Sequence, residues 1–472
     1  MGVEQGGGAR GAREETRKKW RALAGLGARG AASAGLLWAM WTAGWMAAGE
    51  WQAGLGTEES LELAMNLDRR NGAHAVARAR LLQNSIRGTE PGEVVKLWKA
   101  AVALSPRRAE WWAGLGGAYE WSGRTEEALR ALEKARELFP RSPEVNWKLG
   151  NFYLRVGRHA QAQEALKRVV GDGSELRRGV FDLVWRAGYE EEAILETVVP
   201  DELSARMAYL SFLVETRRIQ AAKQVWARLL ADRVRVPQQE AFPYLDALIQ
   251  EGEAEELRRA WRAVEEEVPA ARPATTDTQN EITNGSFEQP IVNGGCDWRV
   301  LSADGVRVSL DTTEFFEGTR ALRVEFNGKS NLAYSHVLQF VPVRPNTRYR
   351  LSAYLRAQGI TSNSGPRVEI YDHGGRERLF LSTEDIGGTT SWAARRAEFR
   401  TGDKTHILVV RLARAARDTR EEGKIAKCTR GNAATARENE AIQDAVAIKK
   451  HGWPHGPSEA GRSGGYGRPN KR

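Results

Sequence analysis

The chain has 472 residues, 41% of them hydrophobic, which allows about two or three domains with apolar cores of their own. Its formal net charge is +9, but the basic residues are dispersed rather than gathered into a stripe with aromatic residues, which excludes the usual pattern of nucleic-acid-binding proteins. The two cysteines, Cys296 and Cys428, lie far apart, so neither a disulfide framework nor a cysteine metal site is expected.

The amino-terminal segment has the charge pattern of a membrane anchor. Residues 1–29 are rich in arginine and lysine, residues 30–49 contain no charged residue, and acidic residues begin at Glu50. A helix needs about 20 apolar residues to cross a bilayer. The pattern predicts a basic cytoplasmic tail over 1–29, one transmembrane helix over 30–49, and an extracytoplasmic remainder in a bacterial periplasm. A buried core helix and a cleaved signal peptide are the alternatives.

Two stretches 34 residues apart then share one pattern. GLGGAYEWSGR begins at Gly114 and KLGNFYLRVGR begins at Lys148, with Leu-Gly, an aromatic residue and Gly-Arg at the same offsets. The spacing predicts two helices joined at a glycine, with small residues where they cross. One such unit cannot bury its apolar face alone, so about three or more are expected.

This pattern resembles the tetratricopeptide repeat. Weaker copies on both sides extend the predicted all-α solenoid to 57–267, and the resemblance implies a concave groove for a protein or peptide partner. The residues predicted to pack the repeats are Trp112, Leu115, Gly116, Tyr119, Ala128, Leu132, Pro140, Leu149, Gly150, Tyr153 and Ala162.

The helical period ends near residue 268. Residues 268–280 are rich in Pro, Ala and Thr and are predicted to form a linker. Short alternating runs follow, such as Leu322 and Val324 against Arg323 and Glu325. Alternation of this kind, with turn residues between the runs, predicts an all-β sandwich.

The motifs ITNGSFEQP, EGTRALRVEF and VPVRPNTRYRLSAYLRAQG are similar to the galactose-binding-like jelly roll of carbohydrate-binding modules, over residues 281–415. The resemblance implies a structural calcium site that includes Glu288, and no other cofactor. It also implies that aromatic side chains contact sugar, with burial in the core as the alternative for each. The candidates are Trp298, Tyr334, Tyr354, Tyr371 and Trp392, of which Tyr354 is predicted to face away from the core.

Residues 416–472 are polar and rich in Gly and Arg, and they are predicted to be disordered. The closing strand of the family, with its Trp-x-Asp-Asp-Val pattern, is not visible there. A frameshift near Ala426 and a divergent natural tail are the two explanations. Either one predicts a jelly roll without its closing strand and without an intact calcium site.

No nucleophile motif or pair of catalytic carboxylates stands out, so no enzyme is expected. The predicted fold is multidomain, with one transmembrane helix, an all-α tetratricopeptide solenoid and an all-β jelly-roll sandwich. The predicted function is a membrane-anchored extracytoplasmic scaffold that binds protein partners through its repeats, and nucleic acid is not an expected partner. The alternative function is a carbohydrate-binding protein that uses the jelly roll for polysaccharide.

Overall fold

The structure is a computed structural model of the chain, which divides into two compact units, Met1–Ala205 and Arg206–Arg472. The predicted tail 1–29, the first part of the predicted span 30–49 and nearly all of the predicted linker 268–280 lie outside the described residues. The described residues are 38–85, 90–265, 280–328, 332–362, 364–416 and, for the backbone alone, 442–448.

The helices of the described residues follow one another along the chain, and most are joined by short turns. They precede a β-rich region, as predicted. Their bounds are α1 (38–55), α2 (Glu58–Leu67), α3 (Gly72–Gln83), α4 (Pro91–Leu104), α5 (Ala109–Trp121), α6 (Thr125–Leu138), α7 (Pro143–Arg155), α8 (His159–Gly171), α9 (Arg177–Arg186), α10 (Glu191–Thr197), α11 (Leu203–Glu215), α12 (Ile219–Ala231), α13 (Gln238–Glu251) and α14 (Ala254–Glu265).

The two stretches that share the 34-residue pattern, which we call the strong repeats, each contain a Gly-Arg pair. This pair ends one helix and starts the next. Gly123 after α5 has φ 73° and Gly157 after α7 has φ 72°, a left-handed conformation that glycine adopts without steric cost. The N–H of Arg124 then donates to the carbonyl of Tyr119 at 2.8 Å, which satisfies a carbonyl in the last turn of α5. The repeated sequence therefore encodes a helical hairpin, as predicted.

Helix α1 exposes large apolar side chains on several sides. Trp38, Met40, Trp41, Met46 and Trp51 are all exposed. Among the residues that the structure describes, no helix combines the length and the apolar character needed to span a bilayer.

The β-rich region consists of two five-stranded antiparallel sheets. Sheet A has the order β1-β4-β9-β6-β7 and sheet B the order β2-β3-β10-β5-β8. The strands are β1 (Arg299–Val300), β2 (Val306–Asp311), β3 (Ala321–Phe326), β4 (Tyr334–Pro342), β5 (Arg348–Ile360), β6 (Arg367–Asp372), β7 (Phe380–Ser382), β8 (Gly388–Arg400), β9 (Ile407–Arg414) and β10 (Ile442–Ile448).

The core of the region lies between the sheets. Leu322 and Leu355 of sheet B share one apolar cluster with Val337, Val368 and Val410 of sheet A. Alternate residues of strands β3, β4, β5 and β9 point into this cluster, because successive side chains of a strand point to opposite faces. The predicted sandwich is therefore present.

Strand β10 corrects the prediction that 416–472 is disordered and offers no closing strand. It pairs antiparallel with β3 and with β5, and Val446 lies opposite Leu322 and Leu355. The IQDAVAI run places an apolar residue at three of its four alternate positions, with Asp444 at the remaining one. The polar composition of the surrounding tail hid this short alternation.

The last helical hairpin belongs to the same compact unit as the two sheets. The guanidinium of Arg258 on α14 donates to the carbonyl of Pro342 on β4 at 3.0 Å, and Arg299 on β1 forms an ion pair with Asp246 on α13. The solenoid was predicted to extend to 267 and the jelly roll to begin at 281. Side-chain contacts also join α13 and α14 to sheet A.

Candidate functional site

Glycines set the distance between the paired helices of the two strong repeats. A Cβ added at Gly116 would lie 2.6 Å from Cγ of Leu132, and a Cβ added at Gly150 would lie 2.5 Å from Cδ2 of Leu166. Real side-chain atoms do not pack this closely. Glycine at these positions therefore lets the second helix of each hairpin approach the backbone of the first.

Most of the predicted packing residues lie in the interior. Leu115, Gly116, Tyr119, Ala128, Leu132, Leu149, Gly150, Tyr153 and Ala162 are buried, and Trp112 packs against the same core from its edge. Pro140 is the exception. It is exposed, because α6 has already ended at Leu138, and it contributes a backbone carbonyl rather than a packed side chain.

The carbonyl of Pro140 shows that Asn146 takes the place of Trp112 in the second repeat. The indole N–H of Trp112 donates to the carbonyl of Pro106 at 2.8 Å, and the amide of Asn146 donates to the carbonyl of Pro140 at 2.8 Å. Both bonds tie a first helix to the end of the preceding second helix. The substitution keeps the hydrogen bond and loses only the aromatic ring.

The first helices of the two repeats leave one surface uncovered by the hairpin core. We call it the first-helix face and define it by Gly117, Glu120, Trp147, Asn151 and Arg155. Each of these residues is half-buried or exposed, and a Cβ at Gly117 would meet open space. The guanidinium of Arg155 on α7 pairs with the carboxylate of Glu120 on α5 at 2.5 Å, which holds the two helices in register.

The electrostatics of this face are mixed, with an excess of basic groups. Lys148 is an exposed residue of α7, but the protein around its ammonium and the nearby Arg80 lower its pKa, and Glu120 opposes the shift. Lys148, Arg80 and Arg155, which pairs with Glu120, outnumber this carboxylate and leave net positive charge on the face. The face can therefore accept an acidic or aromatic group of a partner.

A second candidate site lies on the outer face of sheet B. We call Phe316, Tyr354 and Trp392 the aromatic cluster. Phe316 stacks on Tyr354 with ring centroids 3.8 Å apart, and Trp392 lies 6.0 Å from Phe316. Tyr354 is half-buried and its neighbours Ala353 and Leu355 are buried, so the predicted outward direction of Tyr354 is confirmed.

Phe316 was not predicted. It belongs to the EFFEG run in the loop between β2 and β3, where Phe315 and Phe316 are both partly exposed. Two adjacent phenylalanines in a loop were the available signal. The cluster stands beside an ion pair between Glu314 and Arg356, so apolar rings and charged groups share one surface.

Two of the predicted sugar-contacting residues are core residues instead. Trp298 is 1% exposed and Tyr334 is 2% exposed, and both belong to the apolar cluster between the sheets. Both follow the alternative of burial in the core, because alternation alone does not show which face of a strand the sandwich covers. The indole N–H of Trp298 donates to the carbonyl of Asn284, which anchors the NGSFE loop.

Tyr371 lies on the outer face of sheet A, but guanidinium groups cover its ring. Arg376 lies 4.7 Å and Arg411 lies 5.1 Å from its centroid. Glu369 pairs with Arg411 and with Arg367; burial raises the pKa of this carboxyl, but the arginines outweigh that effect and lower it. The ring is not open for a sugar to stack on it.

The carboxylate of Glu288 is held by hydrogen bonds from protein groups. It accepts hydrogen bonds from the N–H groups of Thr319 and Arg320 and from the Thr319 hydroxyl. Burial opposes ionisation of Glu288, but these bonds dominate and lower its pKa. Within the described part of the chain, no three His, Cys, Asp or Glu side chains are grouped to hold a metal ion.

Comparison with known proteins places one segment in a family. Residues 122–175, which contain α6, α7 and α8, match the tetratricopeptide repeat family. The predicted repeat is confirmed in this segment. No curated protein matches the chain.

Solved structures resemble parts of the chain at low identity, and none of them identifies a ligand of this protein. A crystal structure of MamA protein is 20% identical, with 38% of this chain and 93% of that chain covered and a TM-score of 0.29. YrrB, a TPR protein with an unusual peptide-binding site, is 15% identical, with 45% and 95% covered and a TM-score of 0.26. A family 16 carbohydrate-binding module is 18% identical, with 36% and 98% covered and a TM-score of 0.23.

Proposed function

We propose that this chain is a non-enzymatic, membrane-anchored scaffold that binds a protein partner on the first-helix face of its tetratricopeptide repeats. The first-helix face is the observation that supports the proposal. The other sides of α5 and α7 are covered by hydrogen bonds, close contacts at glycines and apolar packing. The uncovered side presents an open glycine, a tryptophan and more basic than acidic groups.

Site-specific photocross-linking in cells tests this proposal. A photoreactive amino acid at Asn151 on the first-helix face should form an adduct with a partner protein. The same group at Glu137, an exposed residue of α6 on the second helix, is the matched control and should form none. Trp147→Ala should weaken capture by the equivalent of about 2 kcal/mol, as expected for an aromatic anchor of an interface. Equal adducts at both positions would exclude a binding face on the first helices.

Membrane anchoring is the second part of the proposal. The uncharged run 30–49 and the exposed Trp38, Met40, Trp41 and Met46 of α1 support it, since a patch of this kind is costly in water and favourable in a bilayer. The basic residues before the run support a cytoplasmic amino terminus. We propose that the repeats and the sandwich are extracytoplasmic.

Protease added to spheroplasts tests this topology. External protease should digest the repeats and the sandwich while a short basic fragment stays protected. A cytoplasmic protein of similar size serves as the control for lysis. Protection of the whole chain until lysis would contradict the proposed orientation.

Carbohydrate binding by the β-rich region is the second candidate function, and the aromatic cluster favours it. Stacked rings beside charged groups suit a sugar ring, whose face is apolar and whose edge is polar. Trp392→Ala should abolish the retardation of the chain in gels that contain a soluble polysaccharide. Tyr371→Ala, whose ring is covered by arginines, is the matched control and should leave the retardation unchanged. Retardation that survives Trp392→Ala would place the sugar elsewhere.

A further inference from the structure

Strand β8 is the longest outer strand of the two sheets. It has 13 residues and ends the order of sheet B, whereas the other outer strands β1, β2 and β7 have 2, 6 and 3 residues. Beyond β8 the described part of the chain supplies no further strand. An outer strand presents unpaired N–H and C=O groups that can bond to another strand.

The register shows which groups of β8 face outward. The N–H of Thr401 donates to the carbonyl of Thr347 at 3.0 Å, and β8 continues this register with Ala397 opposite Leu351. Antiparallel pairs alternate between bonded and non-bonded, so every second residue of β8 directs its backbone groups away from β5. Those residues are Arg396, Glu398 and Arg400.

The charges along β8 indicate which strand can pair with this edge. When an antiparallel strand pairs with its own copy across a twofold axis, the residue at the axis meets itself and its two neighbours meet each other. An axis at Arg396 opposes two arginines, and an axis at Glu398 opposes two glutamates. An axis at Ala397 instead places Arg396 of one copy opposite Glu398 of the other, twice. An axis at Phe399 would oppose Glu398 and Arg400, but the guanidinium of Arg400 already donates to the carbonyl of Asn346, and β8 ends at Arg400, so little strand remains to pair.

We propose that two copies of this chain pair through β8, antiparallel about a twofold axis at Ala397, so that sheet B continues from one copy into the other. About four backbone hydrogen bonds join the two Arg396–Glu398 positions of such a pair. Arg396 is exposed, and Glu398 already pairs in its own chain with Arg350 at 2.6 Å, which orients its carboxylate on the outer face.

The pairing ends where the edge is already covered. The guanidinium of Arg395 donates to the carbonyl of Ala394 at 3.1 Å and to the carbonyl of Glu384 at 3.1 Å. The open edge is therefore short. A short edge with exposed ion pairs predicts a dimer that depends on protein concentration and weakens at high salt.

Cysteine cross-linking tests the register in the full chain, in mild detergent and with Cys428→Ser as the parent. Ala397→Cys brings two thiols to the axis, where the Cα atoms of a non-bonded pair lie about 4.5 Å apart and a disulfide can form. Oxidation should link Ala397→Cys at least ten times faster than Ala393→Cys, the matched control in the same strand. Equal rates at the two positions, or no cross-link at Ala397→Cys, would overturn the proposal.

Charge reversal tests the pairing independently. Arg396→Glu opposes two glutamates in each pair and should raise the dimer dissociation constant at least tenfold in sedimentation equilibrium. Adding Glu398→Arg to Arg396→Glu should restore dimers, because the opposite charges are exchanged. Arg307→Glu, an exposed arginine on the other outer strand β2 of the same sheet, should have no effect. The proposal fails if Arg307→Glu weakens the dimer equally, or if the double variant folds by circular dichroism but stays monomeric.

Discussion

Single residues fix the geometry of the repeats where a side chain would not fit. Gly116 and Gly117 are neighbours on α5, yet they face opposite surroundings. A Cβ at Gly116 would meet Leu132 at 2.6 Å, whereas a Cβ at Gly117 would meet nothing within 4 Å. The first glycine is a packing requirement, and the second is a free position on the first-helix face.

This difference gives a matched pair of variants. Gly116→Ala should lower the free energy of unfolding of the helical region by about 1–3 kcal/mol, because the added methyl overpacks against Leu132. Gly117→Ala should leave it unchanged or raise it by up to about 1 kcal/mol, because alanine favours the helix and the site is open. Urea unfolding followed by circular dichroism measures both. Equal effects would mean that α5 and α6 do not cross at Gly116.

Glu369 is a buried charged residue of the sandwich. It is almost fully buried and pairs with Arg367 and Arg411, with Arg376 at 3.6 Å. Glu369→Gln leaves these arginines without their carboxylate and should cost about 3 kcal/mol at neutral pH. Glu314→Gln, in an exposed pair with Arg356, is the control and should cost less than about 1 kcal/mol.

The pH dependence of this effect has a defined sign. The pKa of Glu369 is lower in the folded protein than in the unfolded chain. Its stabilising contribution is therefore complete above the ordinary glutamate pKa and is lost as the pH falls through the folded value. The difference in unfolding free energy between wild type and Glu369→Gln should shrink on acidification. A difference that stays constant down to about pH 3 would contradict the role of the charge.

Some helical hairpins are easier to recognise from the sequence than others. The hairpin of α11 and α12 has the same capping bond as the strong repeats, from the N–H of Arg218 to the carbonyl of Leu213 at 2.8 Å. Its left-handed position holds Arg217 at φ 57° instead of glycine. The turn is present, but the glycine that marks it in the strong repeats is replaced by Arg217. This repeat is therefore difficult to recognise from the sequence.

Strand β10 is an interior strand of sheet B. It lies between β3 and β5, so without it each of these interior strands loses one of its two partners. A chain that ends at Ala441 should be less stable and should aggregate, because two edges become free. A chain that ends at Ile448 keeps the strand and is the control, with the thermal transition of the full chain. Identical transitions for both truncations would show that 442–448 does not close the sheet.

The whole molecule divides at a place that its sequence does not mark. The change of composition lies near 268, but the boundary between the two compact units falls along the chain between Ala205 and Arg206, inside α11. Helices α13 and α14 contact sheet A through Arg258 and Asp246, and Trp261 packs against Gly295 in the loop before β1. A terminal hairpin needs cover for its apolar face, and the sandwich provides it.

Limited proteolysis tests whether this contact is stable. A protease that cuts within 266–279 should leave a helical fragment and a β-rich fragment that elute together on size exclusion, because contacts between α14 and sheet A hold them. Asp246→Ala with Arg258→Ala should let the fragments separate after the same cut. Fragments that separate without these substitutions would instead support independent domains on either side of the predicted linker.

The sequence by itself determined the elements with local causes. The 34-residue spacing, the Gly-Arg turns, the packing leucines and alanines, and the alternation of the strands each follow from interactions between residues close in the chain or from burial on one face. These features predicted the helical hairpins, the sandwich and most of the packing residues.

Only the tertiary structure decided which aromatic residues are buried, which are covered and which are open. Trp298 and Tyr334 fill the core, Tyr371 lies under arginines, and Phe316 comes from a distant loop to stack on Tyr354. The physical reason is that alternation gives the face of a strand but not what packs on it. The group that packs on a strand face is determined by strand order and by the path of the loops, which depend on contacts between residues far apart in the sequence. The position of β10 inside sheet B and of β8 at its edge depend on such contacts as well.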